Sequence, residues 1–236
     1  MGATTLPGVS FTAVDEHLAI ELPGGTALFT TRRGGVSDGP FASLNVGAFT
    51  DDDAAAVAEN RRRVAALAGV EGLLAGRQVH GVRVAREGEG ADEADGQATA
   101  GVGRAPTVVV ADCLPIALVA PEAVAMIHAG WRGLAHGVIA EGVSALHELG
   151  ATRVAAAIGP GAGPCCYEVG AEVHGAFGGG HGTLDLKAIA AGQLAAAGVE
   201  EVHDSGLCTI CDPQRFFSHR RDGGVTGRQA GLTWRS

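Results

Sequence analysis

The sequence has few basic residues and no long apolar run, and each shortage argues against a class of protein. Among 236 residues, 17 Lys and Arg stand against 26 Asp and Glu, so the formal net charge is −9. Nucleic acids and anionic membranes are bound by clustered Lys and Arg, so the acidic balance argues against both as partners. The most apolar stretch, Thr107 to Ala120, contains Asp112 and Pro115 and is too short to cross a bilayer.

Signals for export and for disulfide bonding are also missing. Met1 to Ser10 lacks the basic n-region and the apolar h-region of a signal peptide. Five cysteines are an odd number, which does not suggest a disulfide framework and fits a reducing compartment better. We therefore expect a cytoplasmic protein without a membrane or nucleic-acid partner, and nothing in the pattern indicates its oligomeric state.

The residues that are abundant are typical of a globular α/β protein. Apolar residues make up 46% and charged residues 18% of the chain, and no internal repeat or clear linker divides it. The 38 glycines, about twice the usual share of roughly 7%, have no G-X-Y period and indicate many turns. β-type runs alternate with helical patterns in the middle of the chain and cluster at both ends. This order predicts an α/β (α+β-like) fold, a single domain over residues 1–236 with a mixed β-sheet flanked by helices.

Three segments carry specific structural expectations. Asp51 to Ala68 has an acidic start and an apolar period of about 3.6 residues, which predict a helix. Glu87 to Gly103 is polar and punctuated by glycine, which favours an excursion over the surface. Phe216 to Arg220 and Thr226 to Trp234 flank a turn at residues 222–224, and this pattern predicts a closing hairpin.

Three residues of metal-ligand type lie where predicted strands run out into turns: His80, Cys113 and His128. Imidazole and thiolate are the usual zinc donors, and a set of three leaves a fourth position open for catalysis. Separations of 33 and 15 residues are wrong for a zinc finger, so the fold would have to assemble the site. Two alternatives stay open, namely three unrelated core residues or a metal-free nucleophilic pair of Cys113 with one histidine.

The remaining cysteines and a cationic turn are harder to interpret. Cys208 and Cys211 form a C-x-x-C pair, but a structural zinc needs a second pair, and the adjacent Cys165 and Cys166 do not easily supply tetrahedral geometry. We therefore expect Cys208 and Cys211 to be ordinary buried packing residues. The segment from Arg220 to Asp222 is either a solvated hairpin tip or a source of cationic contacts to phosphate.

A series of short motifs runs in one order along the chain: Thr30-Thr31-Arg32, Gly34-Gly35-Val36-Ser37, Ser43-Leu44-Asn45-Val46-Gly47, Glu59-Asn60-Arg61, Gln78-Val79-His80-Gly81, Ala111-Asp112-Cys113-Leu114-Pro115, His128-Ala129-Gly130-Trp131-Arg132-Gly133, Gly159-Pro160, Tyr167-Glu168-Val169-Gly170 and Cys208-Thr209. Together they closely resemble the laccase-domain family of purine nucleoside phosphorylases, formerly labelled multicopper polyphenol oxidases. The likeness runs from about residue 26 to Trp234. Each motif is weak alone, but the ordered set is highly specific.

The resemblance implies a single-domain α/β fold and a zinc site whose ligands map onto His80, Cys113 and His128. It also implies phosphorolysis of adenosine, inosine and 5′-methylthioadenosine, with deamination of adenosine. Its motifs suggest substrate or phosphate contacts for six residues: Arg32, Ser37, Asn45, Arg61, Gln78 and Arg132. We expect Arg32 or Arg61 to bind phosphate. Asp112, next to Cys113, is our acid–base candidate, since a carboxylate near a metal can move protons, although it could instead orient a histidine.

Other activities are compatible with the same resemblance. Some bacterial members are described as peptidoglycan editing factors, so a Cys–His hydrolase acting on cell-wall precursors is one alternative. Copper-dependent polyphenol oxidation is less favoured, because most of the nine histidines lie outside any paired ligand motif. A binding protein with a structural zinc is a third alternative. Many relatives carry a tyrosine where this chain has His219, so a hydroxyl there is not essential in this protein.

Overall fold

The computed structural model describes residues 10–89 and 92–235, and within these ranges it contains twelve strands and five α-helices. The strands are β1 (Thr12–Val14), β2 (His17–Leu22), β3 (Gly25–Phe29), β4 (Gly72–Leu74), β5 (Val84–Arg86), β6 (Gly96–Thr99), β7 (Arg104–Val110), β8 (Leu114–Val119), β9 (Val124–Ala129), β10 (Ala155–Ile158), β11 (Glu201–Asp204) and β12 (Gln229–Arg235). The helices are α1 (Ala54–Ala68), α2 (Trp131–His136), α3 (Val138–Glu148), α4 (Ala171–Gly175) and α5 (Leu186–Ala196).

The strands form two sheets of six. One has the order β1-β2-β3-β12-β7-β4 and the other β11-β10-β8-β9-β6-β5. Most neighbours are antiparallel, but β4 pairs with β7, β5 with β6 and β10 with β11 in parallel, so both sheets are mixed. The predicted mixed α/β fold is therefore confirmed, with two sheets where one was expected. The extent of a single domain over residues 1–236 stays a prediction.

The two sheets pack face to face, with helices on the outer faces. Along β8, Ile116 and Leu118 pack towards α3 and α5, whereas Ala117 and Val119 pack towards β2, β3 and β7 of the other sheet. This alternation follows from the two-residue period of a strand, and a strand buried on both faces is apolar throughout. Helix α1 covers the far face of the first sheet through residues such as Val64.

The helix expected over residues 51–68 is confirmed as α1. The side chain of Asp53 caps it by accepting from the backbone N–H groups of Ala55 and Ala56. In the part of the chain that the structure describes, no helix is both long and apolar enough to cross a membrane.

The prediction of a surface excursion over residues 87–103 is wrong for residues 94–99, because β6 lies there and is buried along its whole length, whereas residues 87–89, 92–93 and 100–102 are exposed as expected. Its residues are small or polar, so no apolar pattern marks the strand in the sequence. The close packing explains the composition: a Cβ on Gly96 would lie 2.7 Å from Cγ2 of Ile127 in β9. Asp95, immediately before this strand, is fully buried.

The predicted closing hairpin is also wrong. β12 pairs with β3 and β7, and residues 216–220 form no strand. The backbone of residues 216–220 forms hydrogen bonds to side chains instead of to a neighbouring strand. The backbone N–H of Arg220 donates to the Asp112 carboxylate, and the Phe216 carbonyl accepts from the Arg221 guanidinium. These bonds draw the segment over the loop that carries Cys113.

Candidate active site

The fold brings His80, Cys113 and His128 together, as the sequence predicts. His80 lies in the loop after β4, Cys113 follows β7, and His128 lies in β9. One ligand atom from each lies within 4.8 Å of the others, and Cys113 Sγ is 3.9 Å from His80 Nε2. His80 and Asp112 both have left-handed backbones, with φ of 60° and 88°. Such strain at non-glycine residues is typical of functional sites, where the surrounding contacts hold it in place.

Asp95 holds two of these ligands in position. Its Oδ1 lies 2.8 Å from Nδ1 of His128 and accepts from the backbone N–H of His80 at 2.9 Å. Its Oδ2 accepts from the N–H groups of Val79 and Gly81 at 3.1 and 2.7 Å. With Nδ1 of His128 engaged, Nε2 is the ring nitrogen left for a ligand. A carboxylate in this arrangement orients a metal-binding histidine and raises its basicity.

The charges of the cluster stabilise one another. Burial alone would raise the pKa of Cys113, but His128 and His80 lower it to about 6. Burial alone would lower the pKa of His128, but the Cys113 thiolate and Asp95 raise it to about 9. Burial also opposes ionisation of Asp95, yet His128 and the N–H groups of Gly81 and Val79 lower the pKa of that carboxyl.

This donor set fits a zinc ion. Zinc binds thiolate at about 2.3 Å and imidazole at about 2.0 Å, so tetrahedral coordination separates sulfur from nitrogen by about 3.5 Å. The 3.9 Å between Cys113 Sγ and His80 Nε2 is close to that separation. Gly130 packs closely beside it, because a Cβ there would lie 3.0 Å from Cys113 Sγ and 3.1 Å from Cδ2 of His80.

Asp112 makes three hydrogen bonds that hold a neighbouring segment, and its predicted acid–base role stays a prediction. Its Oδ1 accepts from the Thr209 hydroxyl at 2.7 Å, and its Oδ2 accepts from the Ser218 hydroxyl and from Arg220 N–H at 3.0 and 2.7 Å. The carboxylate is buried, and these bonds hold the loop that follows β11. The alternative role, orienting a histidine, belongs to Asp95.

A cavity of about 400 Å³ opens beside the three ligands. Its walls combine cationic and aromatic side chains: Phe49, Arg61, Trp131, Arg132, Tyr167, His219, Arg220 and Arg228. Asp112 and Gln78 border it as well. A concave site with both apolar walls and converging charges suits a small anionic or aromatic ligand.

The substrate contacts implied by the motifs divide into two groups. Arg61, Gln78 and Arg132 line the cavity, although both ends of the Gln78 amide are bonded to the backbone of Val109. Arg32, Ser37 and Asn45 are not among its lining residues.

The second group serves the loop of residues 32–47 instead. Arg32 donates to the Ala42 and Pro213 carbonyls and lies over the Phe217 ring. The side-chain amide of Asn60 in α1 donates to the Ser37 hydroxyl and to the backbone carbonyl of Asn45, both at 2.8 Å. These contacts fold the loop that carries Phe49 to the cavity.

Sequence reasoning missed several residues of the site. Asp95 lies in a segment interpreted as surface, and its only signal is an acidic residue before a short run of small, strand-compatible residues. Tyr167 and Arg228 lie in loops whose spacing says nothing about the cavity. From the sequence, Arg220 belongs either to a solvated hairpin tip or to a source of cationic contacts to phosphate. In the structure it lines the cavity.

The expectation that Cys208 and Cys211 are ordinary buried residues is wrong. Cys208 is half-buried and Cys211 is exposed. The sulfur atoms of Cys165, Cys166, Cys208 and Cys211 all lie within 4.8 Å of one another. We call this group the four-cysteine cluster.

Comparison with known proteins agrees with this architecture. The model of the family described as "Multi-copper polyphenol oxidoreductase laccase" matches residues 26–236. A purine nucleoside phosphorylase of Pseudomonas aeruginosa is 41% identical over 227 residues, covering 88% of this chain and 92% of its own. One from Xylella fastidiosa is 39% identical over 244 residues, covering 90% and 93%.

Solved structures show the same relationship. The crystal structure of YlmD from Geobacillus stearothermophilus superposes with a TM-score of 0.87 at 36% identity, covering 95% of this chain and 98% of that one. A Neisseria meningitidis protein superposes with a TM-score of 0.86 at 34% identity, covering 94% and 100%. The resemblance stated from the motifs is thereby confirmed. The chain belongs to the multi-copper polyphenol oxidoreductase laccase family, whose curated members include proteins named purine nucleoside phosphorylase.

Proposed function

We propose that the cavity binds a purine nucleoside and inorganic phosphate and catalyses phosphorolysis of the nucleoside. A phosphate oxygen attacks C1′ of the ribose, the C1′–N9 bond breaks, and the purine leaves with the bonding electrons and takes up a proton. Adenosine, inosine and 5′-methylthioadenosine are the proposed substrates, giving the base and ribose 1-phosphate or its methylthio analogue. The names of the relatives support this reaction. In this structure, the observation that supports it most is a half-buried Arg61 whose charge has no partner among the described residues.

Arg61 is a cation without a partner in the cavity wall. Its guanidinium is half-buried, and burial lowers its pKa. Among the described residues, no hydrogen bond or ion pair accounts for this charge. A cation that loses hydration without gaining a protein partner is suited to bind an anion such as phosphate. Arg32, the other predicted phosphate ligand, donates instead to the backbone carbonyls of Ala42 and Pro213, which lie outside the cavity.

Aromatic groups at the cavity suit a purine. Phe49 lies at the rim with 80% of its surface exposed, and Trp131 is stacked by the Arg132 guanidinium 4.3 Å from its ring centre. Rings placed in this way can stack on a flat base. Tyr167 is half-buried, and burial together with the nearby Cys113 thiolate raises the pKa of its hydroxyl. It therefore stays protonated at neutral pH and is our candidate for the proton that the departing purine takes up.

Zinc is the proposed metal, held by His80, Cys113 and His128. When bound, it would supply a Lewis acid that polarises a substrate group or a water molecule. Asp95 would keep the His128 ring and the His80 loop in position for it. The proposal includes hydrolytic deamination of adenosine in the same cavity, in which water replaces the amino group at C6 and ammonia leaves.

The test is incubation of zinc-replete protein with inosine and phosphate, followed by assay of hypoxanthine and ribose 1-phosphate. Omission of phosphate should abolish both products, and adenosine without phosphate should yield inosine if deamination occurs. Arg61→Gln should raise the KM for phosphate about 10–100-fold, because it removes a charged donor worth roughly 1.5–3 kcal/mol. Arg62→Gln is the matched control, since Arg62 is exposed and pairs with Glu59. Equal KM values for the two variants would refute the assignment of Arg61.

A second candidate function rests on the same cluster without metal. The pKa of Cys113 near 6 and its contact with His80 would suit a thiolate nucleophile in a Cys–His hydrolase acting on peptidoglycan precursors. Loss of activity together with zinc on chelation would exclude this mechanism. Copper-based polyphenol oxidation is disfavoured because only two histidines join the metal-ligand groups of the described residues.

A further inference from the structure

The four-cysteine cluster gathers four of the five cysteines of the chain at one point. Cys165 and Cys166 lie in the loop between β10 and α4, whereas Cys208 and Cys211 follow β11. Cys211 Sγ lies 3.3 Å from Cys165 Sγ and 2.9 Å from Cys166 Sγ. Two segments more than 40 residues apart therefore present their thiols to one another and not to the core.

The local backbone explains how two adjacent cysteines reach the same point. The N–H groups of Cys166 and Tyr167 both donate to the Gly163 carbonyl, so residues 163–167 form a helical turn. Successive side chains on such a turn are separated by about 100°, in contrast to the opposite faces of a strand. The objection that an adjacent pair does not supply tetrahedral geometry therefore does not hold here.

A backbone donor reaches one sulfur of the cluster. The backbone N–H of Gly163 donates to Cys208 Sγ at 3.2 Å. N–H donors of this kind stabilise negative charge on sulfur. The position of Gly163 is also close to the cluster, since a Cβ there would lie 3.3 Å from Cys165 Sγ and 3.2 Å from Cys208 Cβ.

We infer that the four-cysteine cluster is a second metal site, which binds one zinc ion through four thiolates. Tetrahedral coordination at a Zn–S distance of about 2.3 Å places the sulfurs about 3.8 Å apart, a value between the 2.9 Å that separates Cys166 Sγ from Cys211 Sγ and the 4.8 Å within which all four sulfurs lie. Four thiolates close the coordination sphere, so this ion is structural, unlike the three-ligand set of His80, Cys113 and His128. Soft thiolate donors select zinc over the hard cations magnesium and calcium.

This second zinc would brace the wall of the cavity. Tyr167 directly follows Cys166, and Thr209, within the C-x-x-C turn, donates its hydroxyl to Asp112. The Arg221 guanidinium donates to the Thr209 carbonyl at 2.7 Å, and Arg220 donates to the Glu168 carbonyl at 2.6 Å. The ion would therefore tie together the two loops that carry Tyr167 and Arg220 to the substrate. The inference itself does not depend on the proposed reaction.

The test is zinc per chain, measured by elemental analysis of protein purified under reducing conditions. Wild type should hold two zinc ions, Cys211→Ser one and Cys113→Ser one, because each substitution removes a ligand from a different site. Cobalt substitution gives an independent readout, since sulfur-to-cobalt charge-transfer absorption is strongest for four thiolates. That absorption should persist in Cys113→Ser and collapse in Cys211→Ser.

Measurements on wild type alone cover the case in which Cys211→Ser does not fold. X-ray absorption at the zinc edge should show five sulfur ligands shared between two ions, at about 2.3 Å. Four results would each overturn the inference: one zinc per chain in wild type, equal zinc in wild type and Cys211→Ser, a mass that shows a disulfide within the cluster, or iron in place of zinc. None of these results depends on whether the protein turns over a nucleoside.

Discussion

Replacing Asp95 by asparagine should separate the positioning of the metal ligands from the metal ligands themselves. The carboxylate accepts four hydrogen bonds, from His128, His80, Val79 and Gly81. An asparagine keeps the size of the side chain but has one oxygen in place of two. Whichever way the amide turns, two donors lose their acceptor and face an NH₂ group.

The structure sets the expected magnitude. Two buried unsatisfied donors cost about 1–3 kcal/mol each, so Asp95→Asn should lose about 2–6 kcal/mol of unfolding free energy. For a chain of this size, each kcal/mol lowers the Tm by about 2–4 °C. The His128 ring also loses its charged partner, and loss of such a partner typically weakens metal binding 10–100-fold. Asp95→Ala would orphan all four donors, so asparagine is the more informative change.

The assay compares zinc affinity, by competition with a chromogenic chelator, and Tm for wild type, Asp95→Asn and Asp92→Asn. Asp92 is an exposed carboxylate three residues earlier, so its replacement should change stability by less than about 0.5 kcal/mol. If Asp95→Asn bound zinc as tightly as wild type and melted at the same temperature, the role assigned to Asp95 would be refuted.

Three further predictions follow from particular contacts. Gly130→Ala should weaken zinc binding, because the new Cβ would lie 3.0 Å from the thiol sulfur of Cys113. Gly192→Ala, at an exposed and open position of α5, is the control and should stabilise the protein by about 1 kcal/mol. Equal zinc affinity in the two variants would contradict the effect expected at Gly130. The Nδ1 of His17 accepts a hydrogen bond from the Thr31 N–H, and burial lowers the pKa of His17 below the unfolded value of 6.5. The stability that the neutral His17 contributes is therefore fully present above pH 6.5 and is lost as the pH falls towards the folded pKa. The free energy of unfolding should fall by at most about 1.4 kcal/mol per pH unit in this range. Denaturant melts of His17→Asn, which keeps an acceptor but does not titrate, should show a flatter profile in that range, and a profile as steep as that of wild type would count against the assignment. Tyr167→Phe should lower kcat for phosphorolysis with little change in the KM for phosphate, and an unchanged kcat would exclude Tyr167 as the proton donor.

The sequence predicts what apolar periodicity and residue chemistry encode. Helix α1 follows from the apolar spacing of residues such as Val57 and Val64 with a capping aspartate before it. The grouping of His80, Cys113 and His128 is predicted from their residue types and from their places at the turns that follow predicted strands. The architecture of two mixed sheets follows only in outline, because pairing between distant strands is decided by packing that no local pattern records.

The parts that sequence reasoning misses depend on contacts between distant segments. Strand β6 consists of small or polar residues, and Gly96 lies close to Ile127 of the neighbouring strand, so the burial of β6 has no apolar signature in the sequence. Asp95 and Asp112 look equivalent as isolated acids, and only the fold shows that one bonds to His128 and the other to Thr209 and Ser218. The four-cysteine cluster is not predicted from the sequence, because the helical turn that brings the adjacent Cys165 and Cys166 to one point depends on backbone bonds that the cysteine spacing does not reveal.

The central claim is zinc-dependent phosphorolysis at the site of Cys113. The most direct measurement is the rate of ribose 1-phosphate formation from inosine and phosphate by zinc-replete wild type and by Cys113→Ser, with Tm and zinc content recorded for both. Serine is a much weaker zinc donor than thiolate, and the site lies at strand ends where the core should survive the change. The account predicts product from wild type, and a folded variant that has lost the zinc of this site and at least about 99% of the activity. No product from zinc-replete wild type, or undiminished activity in Cys113→Ser, would contradict it.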